Sequence, residues 1–182
     1  VDVYGNIYVM GGGNHSINLK NNTDAKRPYV NKDGNPVRIE ISGKSDIETI
    51  HVQDGSDPVA ITGQSGELII GSDTKVTLYS ADFHDIAMDG DKSELIADQN
   101  CDINNIIIAG DGVDATINGS TDYIEIYASE VEIKGTGSID EVYVEDGDNN
   151  MVDVSGAHID VSAYAGRVRA GDHTISSGHS GY

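Results

Sequence analysis

The sequence predicts an all-β protein: a single-domain parallel β-helix (β-solenoid) with about 18 residues per coil. Three columns of residues that recur at nearly fixed spacing support this prediction. Two apolar columns lie two positions apart, and a column of small residues lies five positions before the first. Successive members are 18, 18, 20, 18 and 18 residues apart. The columns are Ile50, Leu68, Ile86, Ile106, Ile124, Val142; Val52, Ile70, Met88, Ile108, Ile126, Val144; and Ser45, Gly63, Ala81, Cys101, Gly119, Gly137. A fixed period near 20 residues is typical of solenoids.

Short strands and turns alternate within each repeat. Ile103, Ile106 and Ile108 show the first strand, whose last two apolar residues point to one face because they are two positions apart. A Gly- and Asp-rich turn follows at 110–112, and a second alternating strand follows at 115–117. The apolar runs are too short, and too often broken by glycine, for an amphipathic helix. We therefore expect almost no helix.

Two other β architectures fit this pattern less well. An antiparallel β-sandwich also has short strands and regular turns, but it does not require one register to be held over six units. A left-handed solenoid built on hexapeptides would place an apolar residue six positions after each member of the first column. Those positions hold Ser56, Thr74, Lys92, Gly112, Glu130 and Asp148. We therefore expect a right-handed parallel coil.

With these repeats, the chain resembles the compact right-handed β-helix modules of bacterial surface proteins and of bactofilins. The resemblance covers about residues 37–177 and rests on the repeat pattern. It implies a stack of short parallel coils. The β-helix pectate lyases are similar in topology, but their coils are generally longer and their clefts are formed by long loops.

The regular coils are predicted over residues 46–161, between two less regular ends. Residues 1–45 are expected to form an irregular N-terminal coil, with a basic excursion over 21–36 that includes Lys26, Arg27 and Lys32. We expect the excursion to cap the open end of the stack; a ligand-binding loop is the alternative. Residues 162–182 are assigned to the last strands and a polar tail. Since no amphipathic helix seals this end, a further domain, a partner chain or the tail must cover it.

Composition narrows the possible partners. The chain has 31 acidic and 11 basic residues and a formal charge of −20. This charge argues against binding of nucleic acid, which requires a cluster of basic residues. It favours binding of cations. No apolar run reaches the length of a membrane span. Because the chain begins with Val1 and has no signal peptide, we interpret it as part of a larger precursor.

The acidic turns are a candidate calcium site. Asp73, Asp91 and Asp111 are predicted to occupy one turn column on successive coils, about 4.8 Å apart, and Asp89 and Asp114 lie close in sequence. Like charges at this distance raise one another's pKa, and Ca²⁺, which prefers oxygen ligands, would relieve the repulsion. Ordinary turn chemistry, which favours Asp and Gly, is the alternative.

A second candidate site is an apolar strip on the outer face of the first strand. The outward column reads His51, Ile69, Ala87, Ile107, Glu125, Tyr143. The predicted strip comprises Ile69, Ile107, Tyr123, Tyr127 and Tyr143. Exposed apolar strips commonly mark interfaces, and tyrosine rings can stack on sugars or partner chains. Cross-strand pairing within the sheet is the alternative explanation.

These observations favour a non-enzymatic, extracellular structural or adhesive module on a cell or virion surface. We expect it to associate with itself or with neighbouring domains of a larger parent protein. One alternative is a carbohydrate-binding module that binds polysaccharide through the tyrosines with the help of Ca²⁺. A second alternative is a polysaccharide lyase or hydrolase, although the six histidines show no metal-ligand spacing.

Overall fold

The computed structural model describes residues 2–10, 17–31, 34 and 36–181, with side chains from residue 5 onward. The chain is an all-β parallel solenoid of about nine coils with about 18 residues per coil. These residues contain no helix. The predicted fold class is therefore confirmed, while the predicted right-handedness of the coil stays a prediction.

The described residues form 19 strands, most of them short. They are β1 (Asp2–Val9), β2 (Ile17–Leu19), β3 (Asp24–Val30), β4 (Val37–Ile41), β5 (Asp46–Ile47), β6 (Thr49–Val52), β7 (Val59–Ile70), β8 (Lys75–Met88), β9 (Glu94–Ala97), β10 (Asp102–Ile108), β11 (Asp114–Ile117), β12 (Ser120–Ile126), β13 (Glu132–Lys134), β14 (Ser138–Val144), β15 (Met151–Asp153), β16 (His158–Val161), β17 (Val168–Ala170), β18 (His173–Ile175) and β19 (Ser180–Gly181).

The coils build two parallel ladders, which we call face A and face B. Face A contains β1, β3, β5 with β6, the second halves of β7 and β8, β10, β12, β14 and β16. Face B contains β2, β4, the first halves of β7 and β8, β9, β11, β13, β15 and β17. Each strand pairs with the equivalent strand of the next coil, so side chains at one position stack in columns along the solenoid.

The two apolar columns found in the sequence are the core of face A. Ile106 pairs with Ile86 on one side and with Ile124 on the other, and Ile108 pairs in the same way with Met88 and Ile126. Every member of both columns is at most 1% exposed. Burial of aliphatic side chains contributes about 1.5–3 kcal/mol each, so the stacked columns supply much of the driving force for folding.

Two local features explain the remaining positions of the repeat: a bend within the first strand and a tight corner before it. Pairing of β10 skips Asn104, and the inward positions change from Ile103 to Ile106 across that point. The corner before the strand brings two backbones together: Ser120 N donates to Cys101 O at 3.0 Å. A Cβ on Gly119 would collide with the Cys101 carbonyl. The column of small residues is therefore a steric requirement of the corner.

The N-terminal coils differ from the expected irregular segment with its basic excursion. Residues 24–30 form β3, a strand of face A that pairs in parallel with β1, β5 and β6. Ala25, Pro28 and Val30 are buried in the core. Tyr8 pairs with Tyr29 and Tyr29 with His51, so these coils are 21 and 22 residues long. The longer spacing hid them in the sequence; Lys32, assigned to the same excursion, lies outside the described residues.

The polar tail covers the C-terminal edge of the solenoid. β18 pairs antiparallel with β17, and β19 pairs antiparallel with β16. Val161 N donates to His179 O at 3.0 Å, and Gly178 N donates to Val161 O at 2.9 Å. An open strand edge would offer unpaired backbone groups to another chain. Of the three ways to cover this end, the structure shows the tail.

Candidate functional site

The predicted outward column of face A has the register that the sequence indicated. His51 pairs with Ile69, Ile69 with Ala87, Ala87 with Ile107, Ile107 with Glu125 and Glu125 with Tyr143. Ile107 is 40% exposed, whereas Ile69 is half-buried. Ala87 separates the two isoleucines, so the apolar part of the strip is not continuous in large side chains.

The tyrosines lie in an alternating pattern with glutamates on two neighbouring strands. β12 presents Tyr123 and Glu125 on face A, and Tyr127 follows directly after the strand. Across to β14, Tyr123 pairs with Glu141, and Glu125 pairs with Tyr143. Each tyrosine therefore has a carboxylate beside it, both along its own strand and across to the next coil. We call Tyr123, Glu125, Tyr127, Glu141, Tyr143 and Glu145 the tyrosine–glutamate patch.

The carboxylates give this patch a strong negative field. Hydrogen bonding of the phenol to Glu125, with a smaller effect of Glu145, raises the pKa of Tyr127 to about 12. A hydrogen bond to Glu145 raises the pKa of Tyr143, while partial burial and then Glu125 raise that of Tyr123. Strands β10, β12, β14 and β16 contain no lysine or arginine. The patch therefore carries neutral phenols among uncompensated carboxylates at physiological pH.

The outward column continues toward the N-terminus as an aromatic ladder that the sequence period does not reveal. The rings of Tyr8 and Tyr29 are stacked with centroids 5.4 Å apart, and the His51 ring follows at 5.2 Å from Tyr29. Tyr8 is 64% exposed. In the sequence, this ladder is marked by two tyrosines that each precede a buried valine. The coils that carry them are longer than the main period, so the period does not align them. Aromatic residues thus occupy the N-terminal positions of the face A column and recur near its other end at Tyr143.

The five aspartates proposed as calcium ligands do not form one column. Asp91 Oδ1 accepts the backbone N–H of Asp111 at 2.9 Å, and Asp111 Oδ1 accepts that of Ser129 at 2.7 Å. The backbone N–H of Asp73 donates to Asp91 O, which places Asp73 one position further along the turn. Two of the five carboxylates therefore accept backbone N–H groups of the next coil.

The remaining two candidates lie on different surfaces. Asp89 directly follows β8 at the edge of face A, whereas Asp114 begins β11 on face B, where its Oδ1 is 3.8 Å from Lys134 Nζ. Within the described part of the chain, no group of three or more His, Cys, Asp or Glu side chains is arranged to hold a metal ion. Calcium binding by the acidic turns stays a prediction, and the hydrogen bonds give the turn aspartates a structural role of their own.

Among the described residues, the three histidines of face A lie apart from one another. His51 packs on Tyr29, His84 Nδ1 is 3.0 Å from Asn104 Nδ2, and His158 Nε2 is 3.5 Å from Asp160 Oδ1. Each is on face A but on a different coil. Cys101, the single cysteine of the chain, is 3% exposed, and burial raises the pKa of its thiol to about 11. A thiol held protonated in this way is a poor nucleophile.

Comparison with known proteins gives no family for this chain. No family model, curated protein or solved structure matches it. The fold itself defines the class, a parallel β-solenoid with about 18 residues per coil, and the chain is acidic. The described residues include no helix of the length and apolar character needed to span a membrane.

Proposed function

We propose that the protein is a non-enzymatic, extracellular adhesive module that contacts its partner through the tyrosine–glutamate patch of face A. The observation that carries this proposal is the alternation of three tyrosines with three glutamates on adjacent coils of one sheet. The backbone under the patch is fixed by parallel pairing on both sides. A rigid surface of this kind binds without first ordering a loop, a cost that weakens many interactions.

Neutral carbohydrate is the partner that this chemistry favours. Tyrosine rings present flat apolar surface to the C–H face of a sugar, and a carboxylate accepts hydrogen bonds from sugar hydroxyls. The same carboxylates repel phosphates and other anions, which agrees with the exclusion of nucleic acid. Because the tail pairs with the C-terminal edge, that edge offers few unpaired backbone groups to another chain. Binding through the outer surface of face A is therefore favoured.

A glycan array with matched variants tests this function. We expect retention of neutral oligosaccharides by the native protein and a loss of about tenfold or more in affinity for Tyr143→Ala, which removes the central ring of the patch. Tyr164→Ala is the control, since Tyr164 is 84% exposed and lies in a turn outside the strands. Equal loss of binding in both variants, or no retention of any neutral glycan, contradicts the proposal.

Self-association through face A is the second candidate, favoured by the exposed side chain of Ile107. A chain with a charge of −20 repels its copies, so association should strengthen as salt screens the charges. Light scattering across salt and protein concentration measures this. Ile107→Asp should abolish the salt-dependent increase, whereas a monomer at every salt concentration rules the candidate out. The lyase or hydrolase alternative stays untested, and no arrangement of the described residues favours it over binding.

A further inference from the structure

Face B contains a hollow that lies apart from the tyrosine–glutamate patch. Its volume is about 470 Å³, and its lining includes Pro36, Arg38, Pro58, Ala60 and Tyr79. The register explains why it forms: the outward column runs from Arg38 to Ala60 and then to Thr77. Two small side chains follow a long one, and Tyr79 rises from the next column. The volume falls within the range of small-molecule sites, about 300–1,000 Å³.

Arg38 is the charged group of this hollow, and it makes few hydrogen bonds with the part of the chain that the structure describes. Its Nη2 donates to Thr62 Oγ1 at 3.3 Å, while its Nε is buried without a partner. Among the described residues, no carboxylate oxygen lies within 4 Å of Arg38. A buried donor without a partner is costly, so the site is incomplete as it stands.

A carboxylate does lie near Arg38 in sequence, but it contacts a different basic side chain. Glu40, two positions along the same strand, contacts Lys20 Nζ at 3.3 Å. A second hollow of about 230 Å³ lies on that side, lined in part by Asn18, Arg38 and Glu40. Arg38 therefore lines both hollows, and among the described residues it has no ion-pair partner, in a chain of net charge −20.

We propose that the hollow around Arg38 binds the carboxylate of a sugar acid. Three kinds of group meet in the lining, and a hexuronate matches each. The guanidinium suits a carboxylate, to which arginine donates two parallel hydrogen bonds. Tyr79 and the two prolines offer apolar surface to the C–H face of a sugar ring. The hydroxyl group of Thr77 lies in the lining and suits a ring hydroxyl, which an aromatic acid would leave unused.

This site is independent of the proposed function, because it lies on face B and offers a positive charge where the patch on face A offers carboxylates. Neutral sugars are expected on face A, where carboxylates dominate, and an acidic sugar on face B, at Arg38. The two sites can therefore be separated by experiment. Tyr143→Ala should weaken neutral-glycan binding and leave the Arg38 hollow unaffected.

A titration followed by ¹H–¹⁵N NMR tests the proposal with sodium glucuronate as the probe. We expect saturable shifts of the Ala60 and Thr77 amides with a Kd in the millimolar range or tighter, and no such shifts with glucose. Arg38→Gln should weaken binding by about tenfold or more, since hydrogen bonds to charged groups are among the stronger ones. Arg169→Gln, on the same face but outside the hollow, is the matched control and should bind as the native protein does.

A second variant keeps the test decisive if Arg38→Gln does not fold. Ala60→Phe fills the floor of the hollow while retaining the charge, and it should abolish the saturable shifts. Absence of saturable shifts with glucuronate in the native protein overturns the proposal. So does equal binding of glucose, equal binding by Arg38→Gln, or binding of benzoate in place of glucuronate.

Discussion

One turn position allows a direct test of what a left-handed backbone conformation costs a non-glycine residue in this solenoid. The residues at this position adopt left-handed φ values between 52° and 68° on six successive coils. Each donates its backbone N–H to a carbonyl of the next coil where that bond is described, as Lys92 does to Asp111 O at 2.8 Å. The six residues are Gly55, Asp73, Lys92, Gly112, Glu130 and Asn149. Only two are glycines, so the others adopt a conformation that L side chains disfavour.

The effect of Lys92→Gly follows from two opposing contributions. A left-handed conformation costs a non-glycine residue about 1–2 kcal/mol. Glycine in turn loses about 0.5–1 kcal/mol more in backbone entropy on folding. The net gain in the free energy of unfolding is therefore about 0.5–1 kcal/mol. For a chain of this length, this corresponds to a rise of about 1–4 °C in Tm.

The assay is thermal or urea unfolding of Lys92→Gly against Lys92→Ala. The alanine variant removes the same charge and side chain but keeps the Cβ, so the difference between the two variants isolates the backbone term. The reciprocal change, Gly112→Ala, should lower stability by a similar amount. Its new Cβ would lie 3.5 Å from Lys92 Cγ, an ordinary contact, so backbone strain is the main cost. A Lys92→Gly protein no more stable than Lys92→Ala would refute this reasoning.

Three further predictions concern the core, the patch and the turns. Ile106→Ala should cost about 2–5 kcal/mol in urea unfolding because the side chain is fully buried, whereas Ile107→Ala, on the outer face of the same strand, should cost far less. Tyr127, with its pKa raised from 10.0 to about 12, should ionise last: phenolate absorbance should lose its highest step in Tyr127→Phe. Because the unfolded chain releases this proton first, stability should fall between about pH 10 and 12 and stay unaffected by this group below pH 10. Ca²⁺ at 100 times the Kd of a turn site should add about 2.7 kcal/mol, reversed by chelator; an unchanged Tm would leave the turn aspartates with their backbone role alone.

The central coils are predictable from the sequence because their chemistry repeats with the period. Inward positions must be apolar on every coil, so Ile86, Ile106 and Ile124 report the register directly. The corner also repeats, since Gly119 packs against the backbone of Cys101 and tolerates no Cβ. The outward column of face A lies between two such apolar columns, so its register follows from theirs, residue by residue.

The ends and the turns are harder to predict for physical reasons. The coils that contain β3 are longer than the main period. The strand also contains a buried proline, Pro28, and proline in a sequence usually indicates a loop. The tail forms antiparallel strands of only two or three residues, too short for any alternation to show. The turn after β8 has one residue more than the turn after β7, so a spacing of 18 places Asp73 in the column of Asp91 although it lies one position further along. Turn residues alternate in no fixed pattern, so spacing alone cannot correct this.

The distribution of charge over the two faces links the fold to both proposed sites. On or beside face B, three lysines each lie within 3.3 Å of a glutamate oxygen: Lys20 with Glu40, Lys75 with Glu94 and Lys134 with Glu132. These exposed pairs add little stability, but each of these lysines has a carboxylate beside it. Arg38 has no such partner among the described residues, so its charge is available to a ligand. Strands β10, β12, β14 and β16 of face A lack lysine and arginine, so the glutamates beside the tyrosines have no basic side chain on these strands to offset them. Parallel stacking makes this separation possible, because each outward column can carry its own chemistry without disturbing the core beneath it.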